Sequence, residues 1–128
     1  MREIKFRGYS KEKLIGSQWI TNGYGVSKIN YTDGTSSVHL LSPYGDYWVE
    51  EDSIGQYTGL KDKNGKDIYE GDILDYGIYG KFEVLYHKGS FKIRKLNFKN
   101  GNVHLLEEYS FDDIKVIGNI YENSELLG

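Results

Sequence analysis

Apolar and polar residues alternate with a period of two over most of this chain, and glycine-containing pairs cut the alternation at short intervals. Ile4 and Phe6 face away from Glu3, Lys5 and Arg7, the pattern of a half-buried strand over residues 2–7. Residues 8–18 are polar and read as a loop before Trp19-Ile20, with Asn22-Gly23 as the next turn. Val26–Tyr31 and Val38–Leu41 flank Asp33-Gly34 and predict a hairpin. Ser42-Pro43-Tyr44-Gly45-Asp46 predicts a loop with a trans proline, and Tyr47-Trp48-Val49 a short strand. Glu50-Glu51-Asp52 is an acidic lead into the centre of the chain.

The centre, Ile54 to Leu74, organises the rest. Asn64-Gly65 is the dipeptide that best accepts the two positive φ angles of a type I′ turn, between extended arms Tyr57–Leu60 and Ile68-Tyr69. Lys61, Asp62, Lys63, Lys66 and Asp67 give that hairpin a charged tip. Glu70-Gly71-Asp72 predicts a second tight turn, after which Ile73-Leu74 starts another strand. Asp75 to Lys81 bends at Gly77 and Gly80. Phe82, Val84 and Tyr86 then share a face, Lys88-Gly89-Ser90 reverses the chain, and Phe91 and Ile93 resume the pattern. The alternation slips where Lys95 takes an apolar position and Leu96 and Phe98 restart one residue late, which predicts a β-bulge near Arg94-Lys95. Asn100-Gly101 predicts a third hairpin, leading into Val103–Glu107. Ser110 with Asp112 and Asp113 suits one capped helical turn. Ile114, Val116, Gly118 and Ile120 give a last alternating strand, and residues 123–127 a brief helix or docked tail.

Short strands at this spacing predict a mainly β protein: a small antiparallel, SH3-like barrel from the C-terminal half, residues 54–128, with an N-terminal β lobe over residues 1–53. The two are expected to form one compact unit. Val38-His39-Leu40-Leu41 and Val103-His104-Leu105-Leu106 echo one another, but their flanks do not repeat at a fixed period, so the echo reads as coincidence.

Composition sharpens this picture. Twelve Tyr, five Phe and two Trp in 128 residues make the apolar fraction aromatic, there is no alanine, and glycine occurs 16 times. Aromatic residues favour strands and glycine favours turns, so helix has little support. Without cysteine there is neither a disulfide framework nor thiolate metal chemistry. No apolar run is long enough to cross a bilayer and no secretory signal is present, which points to a cytoplasmic protein. A net charge of −3 argues against sequence-independent coating of nucleic acid.

Gly55-Gln56-Tyr57-Thr58-Gly59-Leu60-Lys61-Asp62-Lys63-Asn64-Gly65-Lys66, followed by Ile68-Tyr69-Glu70-Gly71-Asp72-Ile73, resembles the hallmark of the YopX family of phage and prophage proteins. The opening Lys5-Phe6-Arg7 and the ending Val116-Ile117-Gly118-Asn119-Ile120-Tyr121-Glu122-Asn123 extend the resemblance to both ends. Ser53 and Ser124 stand where the family pattern has Thr and Pro. The resemblance implies a phage or prophage origin, a mostly β fold and little chemistry, and with the cytoplasmic reading above it places the protein in the host cell. It implies no catalytic residues and no cofactor.

Candidate chemistry is sparse. Asp62-Lys63-Asn64-Gly65 opens like a calcium-binding EF-hand loop, but Lys66, Asp67 and Ile73 fall where a carboxylate, a glycine and a glutamate are required. His39, His87 and His104 are too few for a structural zinc site, and His39 and His104 fall on the faces opposite their apolar neighbours. Glu70, Asp72 and Asp75 cluster as the paired carboxylates of a glycoside hydrolase can, but Glu70 and Asp72 bracket a tight turn, where Asp ordinarily caps backbone N–H groups. No Ser/His/Asp set sits in a recognisable nucleophile context. Two surfaces remain. Lys92, Arg94, Lys95 and Lys99, interleaved with Phe91 and Phe98, form a candidate face for single-stranded nucleic acid. Tyr47 and Trp48, with Tyr44, Tyr76 and Tyr79, form candidate protein-contact aromatics. The expected role is a non-enzymatic accessory protein that binds another protein or itself through exposed strand edges, with nucleic-acid binding as the alternative.

Overall fold

A computed structural model of the chain describes residues 3–96, 103–106 and 111–127. Twelve strands follow in order: β1 (Phe6–Tyr9), β2 (Trp19–Gly23), β3 (Gly25–Asn30), β4 (Ser36–Ser42), β5 (Gly45–Val49), β6 (Gly55–Lys61), β7 (Asp67–Tyr69), β8 (Asp72–Asp75), β9 (Lys81–His87), β10 (Ser90–Lys95), β11 (Val103–Leu105) and β12 (Lys115–Asn119). Among the described residues the helical segments are short 3-10 turns, including Glu51–Ser53 and Gly77–Tyr79. The protein is mainly β, as its composition requires. The chain divides into two compact units, Met1–Tyr57 and Thr58–Gly128.

In the first unit β3, β4 and β5 form an antiparallel meander with β4 in the middle. β1 pairs with β2 and, through Phe6 and Arg7, with Gln56 and Gly55 at the start of β6. Val38, Leu40 and Val49 are buried at the centre, and Phe6, Ile20, Tyr47 and Ile54 pack around them. Glycine lets backbone into this small core. A Cβ on Gly23 would lie 2.5 Å from Leu40 Cδ1, and one on Gly8 would lie 3.1 Å from Val49 Cγ1. Ile4, expected on the buried face of the first strand, precedes the strand that begins at Phe6 and is exposed.

In the second unit five antiparallel strands run in the order β11-β10-β9-β8-β12, with β11 and β12 at the two edges. The sheet is open, so the expected closed barrel does not form among the described strands. Leu74, Phe82, Val84, Ile93 and Val116 line one face of it. Ile68 of β7 packs on that face with Leu106 and Ile114, which seats the β6–β7 hairpin on the sheet.

Two details correct the sequence reading. β9 and β10 stay in register from Ser90↔His87 to Lys95↔Phe82, so no bulge lies at Arg94-Lys95; the alternation slips there because the strand ends. A register shift does occur in β12, between Val116 and Gly118, and it buries Asn119 in place of the expected Ile120. The turns also differ. Asn64 has no positive φ; Gly65 alone is left-handed at +79°, closing a three-residue loop in which Asp62 N–H donates to the Lys66 carbonyl. The Asp33-Gly34 hairpin uses the same device, with Gly34 at +90° and Tyr31 N–H donating to the Thr35 carbonyl. Positive φ at both central residues, the type I′ condition, is met instead at Lys88-Gly89 (+50° and +85°). The Asn100-Gly101 turn lies outside the described residues, although β11 does return antiparallel to β10.

Candidate functional site

In antiparallel pairing, directly opposed residues share a face. The β3–β4–β5 register therefore sorts one face into Val26, Lys28, Val38, Leu40, Tyr47 and Val49, the core side. The other face carries Ile29 opposite Ser37, Ser27 and Trp48 on either side of His39, and Leu41 opposite Asp46. That second face holds a chain of polar contacts. Tyr31 Oη lies 2.9 Å from Ser37 Oγ, Ser37 Oγ 2.8 Å from His39 Nε2, and His39 Nδ1 2.8 Å from Asp46 Oδ1.

The local sequence explains the arrangement. Ser37 and His39 are two residues apart on β4 and so project to one side. The two-residue Pro43-Tyr44 connection sets Asp46 diagonally across from His39. A carboxylate only accepts, so in the imidazole tautomer that suits this contact the ring proton sits on Nδ1 toward Asp46 and Nε2 accepts from the Ser37 hydroxyl. The Tyr31 hydroxyl then donates to Ser37 Oγ. Sequence reasoning passed over this set. The Ser-x-His spacing in an alternating strand was its one visible sign, since Asp46 joins only through the strand register.

Two of the basic residues singled out from the sequence are already engaged. Lys92 and Arg94 share a face of β10. Lys92 Nζ donates to the His87 carbonyl at 2.8 Å, and the Arg94 guanidinium pairs with Glu83, directly opposite on β9, Nε lying 3.0 Å from Oε1. Lys95 falls on the opposite face, its Cε 2.9 Å from where a Cβ on Gly80 would stand. Lys99 and Phe98 lie outside the described residues. Tyr47 and Trp48 belong to the first unit: Tyr47 packs on the core cluster, while Trp48 sits on the outer face with Lys11 Nζ 5.0 Å from its ring centre. Of the loop aromatics, Tyr44 and Tyr79 are exposed, whereas Tyr76 packs against the second core and edge-on to Tyr79 at 5.0 Å.

The residues of the central motif make backbone and core contacts. Gly55 and Gln56 pair with β1, and Tyr57 is buried with Lys5 Nζ 4.7 Å from its ring centre. Thr58 Oγ1 donates to the Ile68 carbonyl at 2.7 Å, Gly59 is left-handed, and Leu60 packs on the second core. Asp62, expected on the charged tip, is buried instead. Its Oδ1 accepts from the Asn64 and Lys66 N–H groups, and its Oδ2 from Val116 N–H at 3.0 Å, tying the hairpin to β12. Desolvation pushes this carboxyl up, but the hydrogen bonds from Val116, Lys66 and Asn64 and the Lys66 charge outweigh it and hold its pKa below the ordinary 3.8. Asp72, fully buried, accepts from Tyr69 N–H at 2.8 Å across the Glu70-Gly71 turn, and Gly71 N–H donates to the Val84 carbonyl. Asp75 caps Gly77 N–H at 2.9 Å. Among the described residues no group of three or more His, Asp or Glu is placed to hold a metal ion.

Comparison with known proteins is consistent along the whole chain. The family model described as YopX protein matches residues 5–128. The crystal structure of protein EF1440 from Enterococcus faecalis is 28% identical over 100% of both chains, with a TM-score of 0.56. The crystal structure of protein yopX from Bacillus subtilis shares the fold at 23% identity over 100% of both chains, with a TM-score of 0.53. No curated protein matches the chain.

Proposed function

The chain belongs to the YopX protein family, and from that premise we propose that it is a phage or prophage accessory protein of the host cytoplasm that works by protein contact, pairing with a second copy of itself through the free edge of β3. The carrying observation is an asymmetry between the two edges of the three-stranded sheet. The outer edge of β5 is covered within its own unit: Lys11 N–H donates to the Trp48 carbonyl, Glu50 N–H donates to the Tyr9 carbonyl, and Ser10 bridges Val49. Among the described residues of that unit, no strand hydrogen-bonds to the outer edge of β3. This edge is also apolar, with Val26 44% and Ile29 43% exposed and Tyr24 and Tyr31 exposed at its ends. Unpaired backbone groups beside exposed β-branched and aromatic side chains form a template for another strand.

A two-fold pairing centred on Ser27 places Val26 opposite Lys28 and Gly25 opposite Ile29, and avoids setting Lys28 against its own copy. Lys28, 3.5 Å from Glu51, restricts looser pairings. Light scattering across a concentration series tests the reading. The expected result is a concentration-dependent dimer that V26K/I29K converts to monomer, with the tryptophan emission of the folded chain retained. A monomer at every concentration overturns it. Pull-down from a host lysate, with nucleic acid checked in the same eluate, then asks whether another partner takes the edge.

A further inference from the structure

Ser37, His39 and Asp46 stand in the order nucleophile, base, orienting carboxylate, with both links at 2.8 Å. A serine hydroxyl is a weak nucleophile until a neighbouring base can take its proton, and an imidazole serves only with its accepting nitrogen turned to the serine. Asp46 Oδ1, 2.8 Å from His39 Nδ1, sets a carboxylate behind the ring while the other ring nitrogen faces Ser37.

The surroundings supply two further elements. The Tyr31 hydroxyl, 2.9 Å from Ser37 Oγ, stands within reach of a group that bonds to that oxygen. Ile29 and Trp48, directly opposite Ser37 and His39 and both partly exposed, offer apolar walls on the same face. The face is an open sheet surface and Ser37 itself is 8% exposed, so the geometry favours a small acyl donor with a leaving group that needs little help.

We propose that Ser37 is an acyl-accepting nucleophile toward small activated carboxylic esters, aryl esters being the simplest. Ser37 Oγ bonds to the ester carbonyl carbon as its proton passes to His39 Nε2, and the carbonyl oxygen becomes an oxyanion that accepts from Tyr31 O–H. The adduct collapses, the carbon–oxygen bond to the aryl group breaks, and the phenol departs with the proton from His39. Water then attacks the acyl-serine, giving its proton to His39, and the carboxylic acid leaves as Ser37 regains its proton. The sum is ester plus water to acid plus phenol. Asp46 is a positioning residue in this scheme.

The test is exposure of the intact chain to p-nitrophenyl acetate, following phenolate release and locating the acetyl group by peptide mass mapping. The expected result is one acetyl on Ser37, a release rate reduced to the level of surface lysines in Ser37→Ala, and a fall of about 100-fold in His39→Gln. Asp46→Asn is expected to lower the rate and displace its pH profile, a readout that loss of packing alone would not move. The far-ultraviolet circular dichroism of each variant reports whether it keeps the sheet. Acetyl groups on lysine alone in the native protein, or an unchanged rate in Ser37→Ala, overturn the proposal. Mapping on the native protein needs no variant to fold.

Discussion

In the second unit eight buried side chains, Ile68 and Ile93 among them, form one cluster on the face of a five-stranded sheet. In the first, among the described residues, the buried cluster holds Val38, Leu40 and Val49, and apolar side chains such as Ile15, Tyr24, Val26, Ile29 and Trp48 remain at the surface. The first unit compensates by bringing backbone close, at Gly8 and Gly23, and by lacing one sheet face with side-chain hydrogen bonds. The second unit fastens its elements through buried carboxylates whose acceptors meet backbone donors. A unit with a full core can hold its shape by burial, whereas one with a small core leaves apolar and polar groups outside, where they are available to partners and substrates. Both the proposed contact edge and the proposed nucleophile lie in that first unit.

The largest expected effect tests the second core. Ile93→Ala removes a fully buried side chain from the middle of its sheet and should cost about 2–5 kcal/mol in chemical denaturation followed by circular dichroism. A loss below about 1 kcal/mol would mean that this cluster does not carry the unit.

Next comes the carboxylate that ties the hairpin to β12. Asp62→Asn puts an amide donor against one of three backbone donors and should cost about 2–3 kcal/mol. Because the folded-state pKa lies below the ordinary 3.8, Asp62 stabilises the fold fully above that value, and its contribution is lost as pH falls through the lowered pKa. Melting temperatures of the native protein should therefore drop on acidification below about pH 4, with the drop smaller in Asp62→Asn. Equal slopes in the two proteins would remove the linkage.

The smallest effect belongs to the first unit. Gly23→Ala forces a methyl into Leu40 and should cost about 1–3 kcal/mol. Trp19 and Trp48, both in this unit, supply the fluorescence readout. An unchanged midpoint would show that the small core gives way easily, and would undercut the contrast drawn between the two units.

Much of the strand layout was legible in the chain, because alternation and turn chemistry are local. Asp33-Gly34, Asn64-Gly65, Glu70-Gly71 and Lys88-Gly89 all mark reversals, since glycine there accepts a backbone that other residues resist. The capping role of Asp72 is legible for the same reason, whereas that of Asp75 comes from the structure. Asp62 reads as solvated in the sequence, because a charged residue between lysines looks exposed until β12 is placed behind it. The bulge was assigned to β10 because its alternation slips at Lys95, yet the cause there was the end of a strand.

Sequence alone therefore determined that this chain is a mainly β protein with reversals at those glycines and a place in the YopX family. Only the tertiary structure decided which turn geometry each reversal takes, which carboxylate is buried, and that Asp46 stands behind His39 and Ser37. The physical reason is range. A period of two states which face a side chain occupies, but its neighbours across the sheet are set by register, and register is a property of paired strands rather than of either one.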